Sequence, residues 1–385
     1  MFNSNQINFR NNKITIVNNG KRENSSDLSD SSISSVEVKG SKKINCFLGD
    51  GSKEWKLKEE FIVDNINISK ELKRFRKLSI AEFERNKDIN CLRILALSHI
   101  LPINEFDASR SIIKYLDNDA RRALKQVIST AKPKVRLGPA KAVLYCRSKA
   151  NGAADEDDEA DEKNDDVTMM CMVKDIAVQL KQNRASIATT SEATFTEKDL
   201  VSIVRRVFLE DVSEEAIYAV IDKHEKFGKK PDFMIGAKVK RREVYFFYVE
   251  VKCPGAHSKY QPEDDYTKLM KLMKKSVDDQ LYLGLKDLMS LGLLIEGFKC
   301  TLFQMKLLAD GIYMPMAFDR FSLVEEDHQL ALLPSVVDAF YFVKSELRKF
   351  VEEEANKKRT TEERRAGRER IYPSFVTNFV SKKGK

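Results

Sequence analysis

The sequence predicts an α/β protein, a mixed sheet flanked by helices with a helical region before it, and three observations carry that expectation. The first is a pair of strand-like runs, Phe233 to Val239 and Glu243 to Lys252, parted by the charged break Lys240-Arg241-Arg242 and closed by Pro254-Gly255. The second is helical periodicity on both sides of that pair. Thr196 to Phe208 follows a Thr-x-x-Asp capping signal. Asp264-Asp265-Tyr266 opens a helix to about Leu285, with Leu269, Met270, Met273, Val277 and Leu281 as its apolar stripe. The third is Asp310-Gly311 between two further strand-like runs, a hairpin signal. Pro315 places the second of those runs at a sheet edge.

The pair of runs also gathers chemistry. With the turn centred on Arg241, antiparallel pairing sets Asp232 opposite Glu250, where directly opposed Cβ atoms lie ~4.5–5.5 Å apart. Alternation puts Lys252 on the face of Glu250, together with Val244, Phe246 and Tyr248, and puts Tyr245, Phe247 and Val249 on the other. A strand apolar on both faces belongs inside a covered sheet. Phosphodiester hydrolysis needs a hard cation to neutralise the scissile group and to acidify a water. Mg²⁺ accepts one or two carboxylates plus water and substrate oxygens, so Asp232 and Glu250 suit it. Lys252 would orient or help deprotonate the water, or stabilise the developing charge. The acid-x-Lys triplet alone means little, since Val36 to Lys39, Glu54-Trp55-Lys56 and Asp161-Glu162-Lys163 repeat it.

Pro231-Asp232 and Glu250-Val251-Lys252 resemble the signature of the PD-(D/E)XK nuclease superfamily. That resemblance spans roughly Glu192 to Phe350 and implies a restriction-endonuclease-like αβββαβ core. It implies a Mg²⁺- or Mn²⁺-dependent nuclease acting on nucleic acid, DNA ahead of RNA, with Asp232 and Glu250 as metal ligands and Lys252 as the catalytic lysine. The family's helix glutamate falls on Glu192 or Glu197. Ser191-Glu192-Ala193-Thr194-Phe195 is similar to the opening of a large group of mostly uncharacterised fungal proteins with this core, which favours Glu192. Lys268, Lys271 and Lys275 on the following helix would contact backbone phosphate. Ala216 to Ile221 stands for the first strand of the core. Branches with Gln-x-x-x-Tyr would carry Tyr at 284, where this chain has Gly284 after Gln280. The alternative is a catalytically inactive nucleic-acid-binding or scaffold protein that keeps the fold, linked to a mobile element.

Composition fits that reading. The 385 residues carry a net charge of +8 despite the acidic block between Asp155 and Asp166, so the remainder is strongly basic. Such a balance suits a phosphate backbone, with binding that weakens as salt rises. Six dispersed cysteines point to a reducing compartment and away from zinc. Among four dispersed histidines only His257 is near the proposed site, as a loop residue. No run approaches a membrane span and the start is polar, so the expected location is inside the cell, the basic tail allowing the nucleus. The expected organisation is a polar segment without fixed structure over 1–50, a helical accessory region over 51–150, an acidic linker over 151–166, the nuclease-like domain over 167–350 and a basic tail over 351–385. Within it, Lys132-Pro133-Lys134-Val135-Arg136 is a nucleic-acid contact or a plain loop, Val167 to Gln182 is a helix, and Leu333 to Glu354 is the last helix. Lys357-Lys358-Arg359 and the arginines to Arg370 are a nuclear signal, a nucleic-acid arm or a solvated helix end.

Overall fold

The computed structural model describes residues 60–86, 90–133, 171–178, 192–209, 217–221, 231–239, 242–255, 264–352 and 359–378, with a few shorter pieces. The acidic block, Lys134-Val135-Arg136 and His257 lie outside the described residues. The architecture is mixed α/β. In chain order its main elements are α1 (Ile68–Asn86), α2 (Cys91–Leu97), β1 (Ile103–Asn104), α3 (Asn118–Ala131), α4 (Glu192–Asp199), β2 (Ile217–Ile221), β3 (Phe233–Val239), β4 (Arg242–Lys252), α5 (Asp265–Leu283), β5 (Met289–Glu296), β6 (Lys299–Ala309), β7 (Ile312–Ser322), α6 (Leu333–Phe350) and α7 (Thr361–Glu369).

Seven strands form one sheet in the order β1-β7-β6-β5-β4-β3-β2. β2, β3 and β4 pair antiparallel, α5 then crosses over, and β5 lies parallel to β4 before β6 and β7 return antiparallel. β1 joins β7 in parallel through two residues only. Pro315, expected at an edge, instead sits one strand in: its strand pairs with β6 on one side and with the two-residue β1, the edge strand, on the other.

The pairing of β3 with β4 differs from simple alternation. Phe233 pairs with Val249 and Ile235 with Phe247, but Gly236 pairs with Tyr245, which leaves Phe246 as an extra residue. That is a β-bulge. Val239 pairs with Arg242 and not with Glu243, so the connection is one residue shorter than a turn centred on Arg241 requires, and the bulge restores the register nearer Asp232. The expected faces change accordingly. Phe246 and Phe247 both meet α6, at 5.3 Å from Phe350 and 6.4 Å from Phe340, so Phe246 does not share the face of Glu250. The hydroxyls of Ser276 and Ser290 donate to the carbonyls of Tyr245 (2.6 Å) and Phe246 (3.2 Å), which satisfies the irregular backbone. Glycine is required opposite, because a Cβ at 236 would stand 2.4 Å from the Val244 carbonyl oxygen.

α5 lies across the opposite face. Asp264 caps its start by accepting the Thr267 N–H at 2.8 Å, and Gly284 ends it in the left-handed region at φ 77°. This explains the glycine at 284. A second glycine, Gly292 on β5, lets the helix approach, since a Cβ there would be 2.5 Å from Met273 Sδ.

The flanking regions are built onto this layer. Leu92, Ala96, Ile103 and Ile112 share one core with Ile312, Met314 and Met316 of β7, so the helices of the 51–150 span pack on the sheet. α7, inside the expected basic tail, rests on α5: a Cβ at Gly367 would come within 2.1 Å of the Leu281 carbonyl oxygen. Beyond it the chain stays anchored, with Lys274 donating to the Tyr372 carbonyl (2.6 Å) and Ser98 Oγ accepting the Phe375 N–H (2.9 Å). Within 1–50, expected to lack fixed structure, Gln6–Phe9 pairs with Asn12–Thr15, and Asn45–Phe47 pairs with Val376–Asn378. Helical residues 171–178 fall in the expected 167–182 helix, and α6 ends at Phe350. The helix expected from Thr196 begins earlier, at Glu192, and continues past Asp199 as Val201–Val204 and a π-helical turn, Arg205–Leu209. Among the described residues no helix is long and apolar enough to cross a membrane.

The bulge gives a stability prediction. Gly236→Ala forces backbone apart and should cost about 2–3 kcal/mol, whereas Gly292→Ala meets the movable end of a methionine and should cost about 1 kcal/mol. Denaturant unfolding of both variants checks the order, and equal losses would contradict the tight bulge.

Candidate functional site

The candidate site lies where β3 begins and β4 ends. Asp232 directly precedes β3, one position beyond the Phe233–Val249 pair, and therefore flanks Glu250. Its Oδ2 accepts the Val251 N–H at 2.7 Å, which fixes the carboxylate against the neighbouring strand. Glu250 is fully buried, at 0% exposure. Its Oε2 accepts from Lys268 Nζ at 2.5 Å, while its Oε1 is buried and has no hydrogen-bond partner. A buried carboxylate oxygen without a protein partner is costly, and a proton, a water or a cation would each relieve it.

Helix α5 supplies more than packing. Asp265 and Lys268 stand three residues apart on its first turns and so share a face. Lys252, two residues past Glu250, reaches Glu192 Oε1 at 3.1 Å and Asp265 Oδ2 at 3.7 Å. The motif lysine is thus held by the start of α4 and the start of α5. The lysine on Glu250 comes from the helix.

The electrostatics follow from this crowding. Burial pushes the Glu250 carboxyl well above its ordinary range; Lys268 pulls it down, and Asp232 and Asp265 push it further up. Burial likewise raises Asp232, against the charge of Lys268 and the Val251 N–H. It raises Asp265 against Lys252 and Lys268. For Lys252 burial works downward, yet the hydrogen bond and charge of Glu192, with Asp265, hold it above its usual value. Perturbed groups collected at one strand end are a common mark of a functional site.

The fate of each expected residue is specific. Asp232 and Glu250 are adjacent, but Lys252 does not converge on them. Both Glu192 and Glu197 are exposed, and it is Glu192 that reaches the site, through Lys252. The stripe expected to meet phosphate is not uniform: Lys268 donates to Glu250 and stays partly exposed, whereas Lys271 is 5% exposed and donates to the Phe375 carbonyl at 3.1 Å. Lys275 pairs with Asp279 at 2.7 Å. One amphipathic helix cannot keep positions 268 and 271 both in solvent when the chain from Arg370 to Phe375 covers its second turn.

Asp265 is the member that residue patterns missed. Its signal was the i, i+3 spacing to Lys268 immediately after a capping aspartate. Arg110 was missed as well. Its guanidinium forms two 2.7 Å hydrogen bonds to Glu296, the residue paired with Lys252 on β5, and so ties the N-terminal region to the rim of the site.

As a metal centre the donor set is oxygen-only. Among the described residues no three Asp, Glu, His or Cys side chains form a ready-made cage. Asp232 and Glu250, with the open Oε1, still fit a Mg²⁺-type ion, which needs one or two carboxylates and keeps waters or substrate oxygens elsewhere. No protein-family model matches the chain, and no curated protein matches it.

The burial of Glu250 sets a pH dependence. Its folded value is raised, so the stability it contributes is present below the ordinary carboxylate range near ~4.3 and is lost as pH rises through the folded value. Removing the buried charge should then help: Glu250→Gln should raise the melting temperature at neutral pH without divalent ion, by about 2–5 °C. Mg²⁺ or Mn²⁺ should raise the melting temperature of the parent and not of this variant. Differential scanning calorimetry with and without the ion decides it, a lower melting temperature for the variant being the contrary result.

Proposed function

We propose that this protein is a metal-dependent nuclease with a restriction-endonuclease-like core. The observation that carries the reading is Glu250, wholly buried, with one oxygen on Lys268, the other without a partner, and Asp232 beside it. The succession α4, β2, β3, β4, α5, β5 supports the finer fold assignment, because it follows the αβββαβ order. The surplus of basic residues supports nucleic acid as substrate.

In this reading Asp232 and Glu250 hold Mg²⁺ or Mn²⁺. When bound, the ion supplies charge neutralisation at the scissile phosphate and a more acidic water. The Val251 N–H keeps Asp232 oriented, and the buried aromatic strand excludes bulk solvent behind Glu250. Lys252 holds Glu192 and Asp265 in place around the mouth. The substrate is a nucleic-acid phosphodiester, with DNA favoured over RNA.

A second reading has its own observation. Lys252 is already engaged by two carboxylates, as expected of a module that binds nucleic acid without cutting it. Cleavage of single- and double-stranded DNA and RNA in Mg²⁺ or Mn²⁺ separates the two. The nuclease reading expects ion-dependent cutting that falls by about 10²-fold or more in Asp232→Asn and in Glu250→Gln. Salt-sensitive binding without cutting would favour the second reading.

A further inference from the structure

We infer that Lys268, not the motif lysine Lys252, is the catalytic lysine of this site. The inference rests on the nuclease reading and adds to it the identity of the cationic group beside the reacting phosphate.

The division of Glu250 carries the argument. One carboxylate oxygen takes Lys268 at 2.5 Å and the other is open, so the carboxylate that would hold the ion is the one that Lys268 engages. Lys268 keeps 22% of its side chain exposed, enough to meet a substrate from the solvent side, while Glu250 keeps none. Lys252 is turned elsewhere, its ammonium bound by Glu192 and Asp265. Moving it to Glu250 would strip both carboxylates of their partner. The helix that carries Lys268 is packed closely on β5 at Gly292 and on α7 at Gly367, which holds the lysine against Glu250.

The step asked of Lys268 needs no proton from it. Water oxygen attacks phosphorus, one P–O bond forms as the ester P–O bond breaks, and the water proton ends on the departing alkoxide by way of solvent. The ammonium stabilises the extra negative charge on the phosphoryl oxygens during that exchange. Lys252 is then a positioning residue, which keeps Glu192 and Asp265 from repelling each other at the mouth.

The test measures Mn²⁺ binding by calorimetry, without nucleic acid, and cleavage in parallel, on full-length Lys268→Met, Lys268→Arg and Lys252→Met. Removing a positive charge beside Glu250 should tighten Mn²⁺ binding by about tenfold or more. Cleavage should nevertheless fall by about 10²-fold, so a better-loaded site would be a slower one. Lys268→Arg should keep the parent's Mn²⁺ affinity and recover part of the cleavage. Lys252→Met should cost less cleavage than Lys268→Met. A purely structural Lys268 would instead give weaker ion binding and lost cleavage together. If Lys268→Met leaves Glu250 stranded and fails to fold, Lys268→Arg still decides by its cleavage, and the double variant Lys268→Met with Glu250→Gln should restore a folded protein.

Unchanged Mn²⁺ affinity in Lys268→Met, or a greater loss of cleavage in Lys252→Met, would overturn the assignment while leaving the nuclease reading intact. A parent that neither binds Mn²⁺ nor cuts would overturn both.

Discussion

One extra residue in β4 governs what the rest of this fold presents. Because Phe246 is inserted opposite the Ile235–Gly236 step, every position from Phe247 to Lys252 is shifted by one relative to the turn end of the strand. A one-residue change of register moves a whole set of side chains to the other face. Without the bulge, the shorter turn between Val239 and Arg242 would set Asp232 out of step with Glu250. With it, two adjacent phenylalanines anchor on α6 while Glu250 turns toward α5. The bulge therefore serves the core and the acidic end at once. Its dependence on Gly236 and on two serine hydroxyls shows how closely the surroundings accommodate it.

The second constraint is the proximity of α5 to the sheet. A helix that must reach Glu250 with a lysine and Lys252 with an aspartate has to lie close, and the absence of a side chain at Gly292 permits that approach. The closeness has a cost. Lys274 is buried completely, where burial lowers its pKa, and is compensated by Asp278 at 2.7 Å and by the Tyr372 carbonyl. Arg370 reaches Asp310 at 2.7 Å, so the residues after α7 close over the back of α5 and keep these groups paired. The far end of the chain thus fixes the helix whose first turn faces the candidate site.

Much of this was legible in the sequence. The strands at 233–239 and 243–252, α5 with its cap at Asp264, and the hairpin at Asp310-Gly311 each carry a local signal of alternation, capping or turn chemistry. The adjacency of Asp232 and Glu250 followed from register, although by a different route: an assumed longer turn and a real bulge give the same offset near Asp232. What stayed hidden were the features that depend on distant residues. The burial of Lys271 requires Phe375, more than a hundred positions later, and periodicity on α5 alone shows only a basic stripe. The partners of Lys252 come from the start of α4 and the start of α5, so a triplet on one strand says nothing of them. Arg110 on Glu296 is hidden for the same reason. Local pattern specifies elements, and side-chain partnership between elements needs the fold.

The charge balance of the acidic end joins these points. Among the described residues, the lysines that pair with Glu192, Glu250 and Asp265 are Lys252 and Lys268, and Asp232 lies beside them, so these six groups when fully ionised carry an excess of two negative charges. A site built only for stability would avoid this, because burial raises three of the four carboxyls and each charge worsens its neighbours. Such sites persist where a ligand supplies the missing positive charge or where strain serves a function. The two lysines divide the cluster unevenly. Lys252 lies among the more exposed pair at the mouth, and Lys268 lies on the deepest carboxylate and also acts on Asp232, while Oε1 of Glu250 has no protein partner. The unpartnered oxygen therefore lies at the strand junction, the position at which a divalent ion in the proposed reaction would be held.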